Sequence, residues 1–526
     1  MSLGPRATRL GGLLLAGAVV AALLPVLARG VIDHVVIYDE LLHILAARGL
    51  LDTGLPAIAG GMYDRGELYT RLAAVAMAQV GDTPVAARLP ALVAGVLLVF
   101  LLVLWVGRKV GMLAGVSAGL FLCLVPGTVD VAVFARFYTL HALVMLVMFA
   151  AAFEASLPDQ TGTVRLGWAL LALALLPIGW HLQETTLVAA VAAMASVLVV
   201  LAMRHWASVR LVVRSHPIAV SLMVLGLAGA GLLVVTSGGF WDKLAWAPLW
   251  AAGRAGRYHY YLEAFARELP LLWPLLPVAV LIGVGDARTR SIVCFCATVL
   301  LVSLLIHSVA GSKAMRYIYY VVPMACVVWG VAAAQILGRA WTGSLQFRGD
   351  SARWGHWVVA PALALLTLVL SQEGMRALRL ASGRLESAVA LGYGAEADWG
   401  PAMGSLHRAL HGADIVITSN AMKALFYLGR YDYELNVSIV EETDTHQEFG
   451  VDPRTGGRAI GSAESVERVL LTRASALVVL EEEKIGKASG VPADAVALIE
   501  SRCRAQDLGA TSGLRVWLCP RPAAAP

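Results

Sequence analysis

Ile37-Tyr-Asp-Glu-Leu-Leu-His-Ile-Leu-Ala-Ala-Arg-Gly-Leu-Leu-Asp-Thr-Gly-Leu-Pro56 decides how this chain is read, together with Gly61-Met-Tyr-Asp-Arg-Gly-Glu-Leu-Tyr-Thr-Arg-Leu72 and Gly81-Asp-Thr-Pro-Val-Ala-Ala-Arg-Leu-Pro90. These segments form a charged, turn-rich stretch between the first two long apolar runs. The chain around them has 526 residues, 59% hydrophobic and only 15% charged, with a mean hydropathy of +0.73. A soluble domain carries roughly 25% charged residues, so composition makes this an integral membrane protein. Carboxylates such as Asp39 and Glu40 at the mouth of a membrane bundle are costly unless they are paired or have work to do.

Apolar windows of roughly 16 to 21 residues recur outward from this stretch, giving about eleven spans. They centre on residues 10–28, 88–107, 111–127, 137–155, 166–181, 185–203, 217–236, 269–284, 290–308, 317–337 and 356–371. The first run follows Arg6 and Arg9 as a signal peptide would. It is long enough to span and no persuasive small-residue cleavage site follows, so it reads as a transmembrane helix. Short basic breaks at Arg108-Lys109, Arg165, Arg204 to Arg214, Arg288 to Arg290 and Arg339 to Arg353 are poor in acids. The density of positive charge assigns them to the cytoplasm. The opposite breaks then gather the unusual polar residues on the outer side. The net charge of +5 does not point to nucleic acid, because Lys and Arg sit in small clusters between apolar runs.

The expected architecture is a polytopic α-helical membrane protein. Residues 1–371 form its transmembrane part with a large first outer loop at 29–87, and residues 372–526 a soluble extracytoplasmic α/β domain. In the latter, Ile415–Ser419, Leu435–Ile439, Ala476–Leu480 and Arg515–Leu518 read as strands. Helical patterns at Ala421–Leu428, Ala463–Leu471 and Pro492–Arg504 alternate with them. No G-x-G-x-x-G and no P-loop occurs, so no nucleotide is assigned. Asn436-Val-Ser is a glycosylation sequon by pattern only. Cys123, Cys294, Cys296 and Cys326 lie in apolar segments as core residues, while Cys503 and Cys519 are candidates for a disulfide if their domain is extracytoplasmic.

Several residues have the chemistry for a site at the outer surface. Asp39 reads either as a catalytic base or as a helix N-cap ahead of Leu41-Leu42, with no Glu or Gln three residues on to complete a capping box. Glu40 could orient an acceptor or simply favour the positive end of the helix. His43, one turn from Asp39, shares its face. Lys313, Arg316 and Tyr317 in G-S-K-A-M-R-Y-I-Y-Y suit a lipid-linked phosphate; they equally suit interfacial anchoring. Arg136 and Tyr138 in A-R-F-Y-T-L-H carry the same two readings. His181 and Glu184 in W-H-L-Q-E-T-T would bind sugar hydroxyls or pair with an arginine, and Trp241–Tyr261 is rich in residues that stack on sugars or lie at interfaces. Asp39 and Glu40 together would also suit a hard divalent cation.

The order Asp39-Glu40, Tyr63-Asp64-Arg65-Gly66-Glu67-Leu68-Tyr69 and Ala87-Arg88-Leu89-Pro90 resembles the C-type membrane glycosyltransferases, above all the protein O-mannosyltransferases and the lipid A aminoarabinose transferases. The A-R-F-Y-T-L and K-A-M-R-Y-I-Y-Y-V-V-P segments are similar to that family as well, and the similarity covers residues 10–340. It implies a cell-envelope transferase resident in a bacterial inner membrane, with a polyprenyl-phosphate sugar donor and a lipid, glycan or protein hydroxyl as acceptor. It further implies a catalytic aspartate at Asp39, inversion at the sugar, and phosphate recognition by outer-loop cations, among them Arg65. Where relatives have Lys-Pro-Pro this chain has Arg65-Gly66-Glu67, and the W-W-D-x-G signature of oligosaccharyltransferases is absent. The competing expectations are a lipid-linked sugar carrier or flippase, disfavoured by the scarcity of mid-span charge, and an assembly protein anchored by its membrane part.

Overall fold

The computed structural model describes residues 5–33, 35–157, 160–205, 253–344, 375, 396–442, 449–452, 454–472, 474–507 and 513–521. Helix α1 (Pro5–Asp33) leads into the long first loop, which holds α2 (Tyr38–Thr53), a hairpin of β1 (Ala57–Ile58) and β2 (Gly61–Met62), and α3 (Glu67–Val80). Helices α4 (Pro84–Lys109), α5 (Met112–Leu124), α6 (Pro126–Ala132), α7 (Tyr138–Ala155), α8 (Gly162–Leu182) and α9 (Thr186–Arg204) follow. After residues 206–252 come α10 (Tyr260–Glu268), α11 (Leu272–Gly285), α12 (Arg290–Val309), α13 (Met315–Ile318) and α14 (Val322–Ser344).

Sequence chemistry fixes the ends of these elements. Thr83 accepts from Ala86 N–H, and Pro84 takes the first helical position of α4, where its missing N–H costs nothing. Arg108 and Lys109 close the same helix in the turn where cations oppose its dipole. Prolines also make the two sharp bends. Pro126 opens α6 at 74° to α5, and Pro270 lies in the break where α10 and α11 meet at 98°.

Among the described residues, six helices are long and apolar enough to cross a membrane, or up to eight if each bent pair is one span. The expected windows at 217–236 and 356–371 lie outside the described residues, so the count of eleven is not reached. The remaining windows each fall on a helix, α1 included. Helix α4 packs on α1, α5 and α7, and α5 also on α14, so the inner face of the bundle is lined by small and branched residues such as Ala94, Val99, Val103 and Ala118.

The C-terminal unit contains α15 (Met403–Leu410), β3 (Ile415–Thr418), α16 (Ala421–Leu428), β4 (Tyr433–Leu435), α17 (Val437–Glu442), β5 (Phe449–Val451), β6 (Arg458–Ile460), α18 (Ala463–Leu470), β7 (Ala476–Glu481), α19 (Ala493–Arg502), β8 (Arg504–Ala505) and β9 (Leu514–Cys519). Its sheet runs β5-β6-β4-β3-β7-β9-β8. The central pairs β6–β4, β4–β3 and β3–β7 are parallel, and the pairs toward both edges are antiparallel. All six residues of β7 are buried, as a central strand covered on both faces requires. Cys503 and Cys519 are joined, tying the end of α19 to β9. The strand expected at Leu435–Ile439 ends at Leu435, because the Asn436 side chain accepts from Ser438 N–H and Oγ–H and turns the chain into α17.

Candidate functional site at the start of the long first loop

Asp39 lies in the first turn of α2 and is not its N-cap; that position belongs to Ile37, in extended conformation. Glu40 reaches back to accept the Ile37 N–H at 3.4 Å, the helix-side half of a capping box. The carboxylate of Asp39 is 15% exposed and meets two guanidinium groups from distant parts of the chain. Arg136 Nη2 is 3.8 Å and Arg316 Nη2 3.6 Å from its Oδ2. These are ion-pair separations in a partly dehydrated setting, where Coulomb energy is larger than in bulk water.

Arg136 is held rigidly. Its Nη1 donates to the Asp39 carbonyl at 3.0 Å and to the Tyr63 phenol at 2.8 Å, and its charge lies 5.2 Å from the centre of the Phe137 ring. Tyr63 is buried, which pushes its phenol above its ordinary range and keeps it protonated. Tyr138 is buried beside Arg136, with its ring 6.5 Å from that of Tyr317. Tyr317 is half-buried and lies 5.2 Å from the Arg316 guanidinium. Arg136, Tyr138, Arg316 and Tyr317, all sequence candidates, therefore converge on Asp39.

Other candidates are drawn elsewhere. Glu40 is fully buried, and both its oxygens are engaged by Arg88, Nε and Nη2 each at 2.7 Å. It also accepts from Ala135 N–H at 2.8 Å, while Arg88 Nη1 donates to the Val31 carbonyl. Glu40 thus joins α1, α2, α4 and the segment before Arg136, and is withdrawn from substrate contact. His43 is likewise fully buried, its Nδ1 2.8 Å from Thr70 Oγ1 and its ring packed edgewise on Tyr63, Tyr69 and Phe137. Burial, then the Arg136 charge, pushes its imidazole well below the usual range, so it is a neutral packing residue.

Lys313 departs from expectation most. Its side chain is buried, and Nζ donates to the Ala255 and Ala310 carbonyls. It braces the loop before α13, the helix that carries Arg316, instead of facing Asp39. Arg65 is exposed just beyond Tyr63. The next residue, Gly66, has a left-handed φ of 61° and packs so closely on Phe137 that a Cβ would lie 2.3 Å from its ring. A proline could not adopt that φ. His181 and Glu184 are exposed where α8 ends, and among the described residues no hydrogen bond or ion pair joins either to the Asp39 cluster. Residues 241–252 of the aromatic segment lie outside the described residues.

A divalent cation does not fit between Asp39 and Glu40. The second carboxylate is bound in bidentate fashion to Arg88, and the first faces two positive charges. The arrangement suits an anionic group brought against the arginines, with an aspartate placed to take a proton beside it. Sequence reasoning missed Tyr63 and Arg88 as parts of this cluster. Arg88 stood in the quoted A-R-L-P segment, but its partner lies 48 residues away.

No protein-family model and no curated relative matches the chain. Solved structures do resemble it. ArnT from Cupriavidus metallidurans bound to undecaprenyl phosphate superposes with a TM-score of 0.61 at 17% identity, over 95% of this chain and 97% of that one. Its apo state gives 0.60 at 18% identity, over 97% and 98%. The archaeal oligosaccharyltransferase AglB from Archaeoglobus fulgidus, in complex with an inhibitory peptide and a dolichol-phosphate, gives 0.56 at 11% identity over 89% and 69%. Helical bundle, long first loop and C-terminal sheet together share the fold of these solved structures.

Proposed function

We propose that the protein is a membrane glycosyltransferase that moves a sugar from a polyprenyl-phosphate donor to a hydroxyl acceptor at the outer face of the membrane. The donor lipid reaches the site laterally, and Arg136 and Arg316 meet its phosphate. Asp39 takes the proton as the acceptor oxygen attacks the anomeric carbon from the side opposite the phosphate. The new C–O bond forms as the sugar–phosphate bond breaks, with inversion, and the polyprenyl phosphate leaves into the positive field of the two arginines. Residues 372–526 act on the same outer side. The Cys503–Cys519 disulfide favours that location, since such bonds persist in oxidising compartments.

The observation that carries this reading is the convergence of Asp39 with two arginines from separate parts of the chain. The bound lipids of the similar structures, undecaprenyl phosphate in one and dolichol-phosphate in another, agree with it. The test is sugar transfer or release from polyprenyl-phosphate sugars by the purified protein in proteoliposomes. Asp39→Asn keeps the backbone carbonyl that binds Arg136 and removes only the base, so the rate is expected to fall about 10²- to 10⁴-fold. A folded Asp39→Asn protein of full activity would refute the mechanism.

A further inference from the structure

The first turn of α2 is held by a part of the chain with no place in the chemistry above. Tyr38 N–H, a donor that the helix itself leaves unsatisfied, is bonded at 2.9 Å by Glu396 Oε2, 358 residues away in the C-terminal unit. Glu396 is itself fixed by Lys423 Nζ at 3.1 Å. Lys423 is fully buried and also bonds the Ala397 carbonyl at 2.7 Å and Glu481 at 3.0 Å. Glu481, buried as well, takes further bonds from Trp399, Asn420 and Lys484. Its burial alone would raise its pKa, but the charges of Lys484 and Lys423 hold it down to about 2.

The position of this cluster in the sheet is informative. Asn420 and Lys423 follow the carboxyl end of β3, and Glu481 ends β7, its parallel neighbour. From β3 the chain continues to β4 on one side, while β7 flanks it on the other. Parallel sheets hold their ligands in the crevice at such a switch point. Here the crevice receives Tyr38, whose ring lies 5.7 Å from the Arg454 guanidinium and 5.8 Å from the Lys484 ammonium. Two more contacts secure the same loop. Gly60 N–H donates to the Thr455 carbonyl at 2.7 Å, and Arg48 of α2 lies 4.7 Å from the centre of the Phe426 ring. Gly456 has a φ of 67° and passes so near Gly60 that a Cβ would come within 2.7 Å of its backbone.

We propose that the C-terminal unit binds the start of α2 as its ligand, and that Glu396 is a positioning residue which fixes the adjacent Asp39 carboxylate against Arg136 and Arg316. Its catalytic part rests on the function proposed above. Because Glu396 touches Tyr38 and not the reacting atoms, its loss acts on the turnover step more than on donor binding.

The test uses the full chain in nanodiscs. Glu396→Ala is expected to lower kcat about 10- to 100-fold with KM for a polyprenyl-phosphate sugar changed less than about twofold. Amide hydrogens of residues 38–41 should exchange about tenfold faster. Glu396→Gln keeps an acceptor for Tyr38 N–H and should restore most of both. If Glu396→Ala does not accumulate, Glu396→Asp, one methylene short of Tyr38, carries the same test. Unchanged exchange at 38–41 overturns the clamp; faster exchange with unchanged kcat overturns the positioning role. Wild-type protein without transferase activity would defeat the proposed function, and the exchange measurement would still judge the clamp.

Discussion

Replacing Arg88 by Met removes one half of an ion pair with no access to water. The side chains of Glu40 and Arg88 are 0% and 1% exposed, and among the described residues the carboxylate accepts two bonds from Arg88 at 2.7 Å, one from Ala135 N–H at 2.8 Å and one from Ile37 N–H at 3.4 Å. Backbone N–H groups do not replace the positive charge of a guanidinium, so the anion left behind has lost its counter-charge inside the protein. Breaking a buried pair in this way costs about 3–5 kcal/mol. Glu40→Gln should cost a similar amount, because it leaves a buried guanidinium facing only neutral acceptors, the new amide oxygen and the Val31 carbonyl, with its counter-charge gone. The double variant removes both charges, and its loss should fall short of the summed single losses by at least about 1.5 kcal/mol. Equilibrium unfolding of the four proteins in mixed micelles closes the cycle. Additivity within about 0.5 kcal/mol would refute the reasoning, since it would mean that the pair is not coupled. Activity gives a second readout: Ala135 precedes Arg136, so a slack Glu40 should also loosen the arginine opposite Asp39.

Two further predictions concern the C-terminal unit. Burial pushes Glu434 from its usual 4.5 up to about 7 against the opposing charges of Arg454 and Lys484. The folded protein therefore binds more protons than the unfolded one between those values, and stability should fall as pH rises from 4.5 through 7, by at most about 3 kcal/mol. Glu434→Gln should flatten the unfolding temperature over that range; an unchanged slope would exclude Glu434 as its source. The Cys503–Cys519 bridge spans 16 residues, so replacing both cysteines by serine should cost about 3 kcal/mol, read as a lower unfolding temperature under non-reducing conditions only.

Much of this molecule was legible in its sequence where the signal is local. Apolar length located the helices, the proline and threonine before α4 marked its start, and Ala421–Leu428 is a helix between the expected bounds. Strands β5, β6 and β8 were not read because each is two or three residues long and is defined by its pairing. At the site, Asp39, Arg136, Tyr138, Arg316 and Tyr317 were identifiable as polar residues at the ends of apolar runs. The roles of Glu40 and Lys313 were not, since a charge at a helix start looks the same whether a ligand, an arginine or a carbonyl awaits it. Only the folded chain pairs Glu40 with residue 88 and Lys313 with residues 255 and 310.

The wide separation of Asp39, Arg136 and Arg316 along the chain also bears on biosynthesis. As the polypeptide leaves the ribosome and is threaded into the bilayer, the aspartate arrives early and the second arginine only after nearly 280 further residues, as their numbers imply. A chain interrupted before Arg316 would carry the carboxylate with its electropositive pocket incomplete. On the function proposed above, nascent protein could then neither capture nor squander an activated lipid, and chemistry would begin only with a finished molecule.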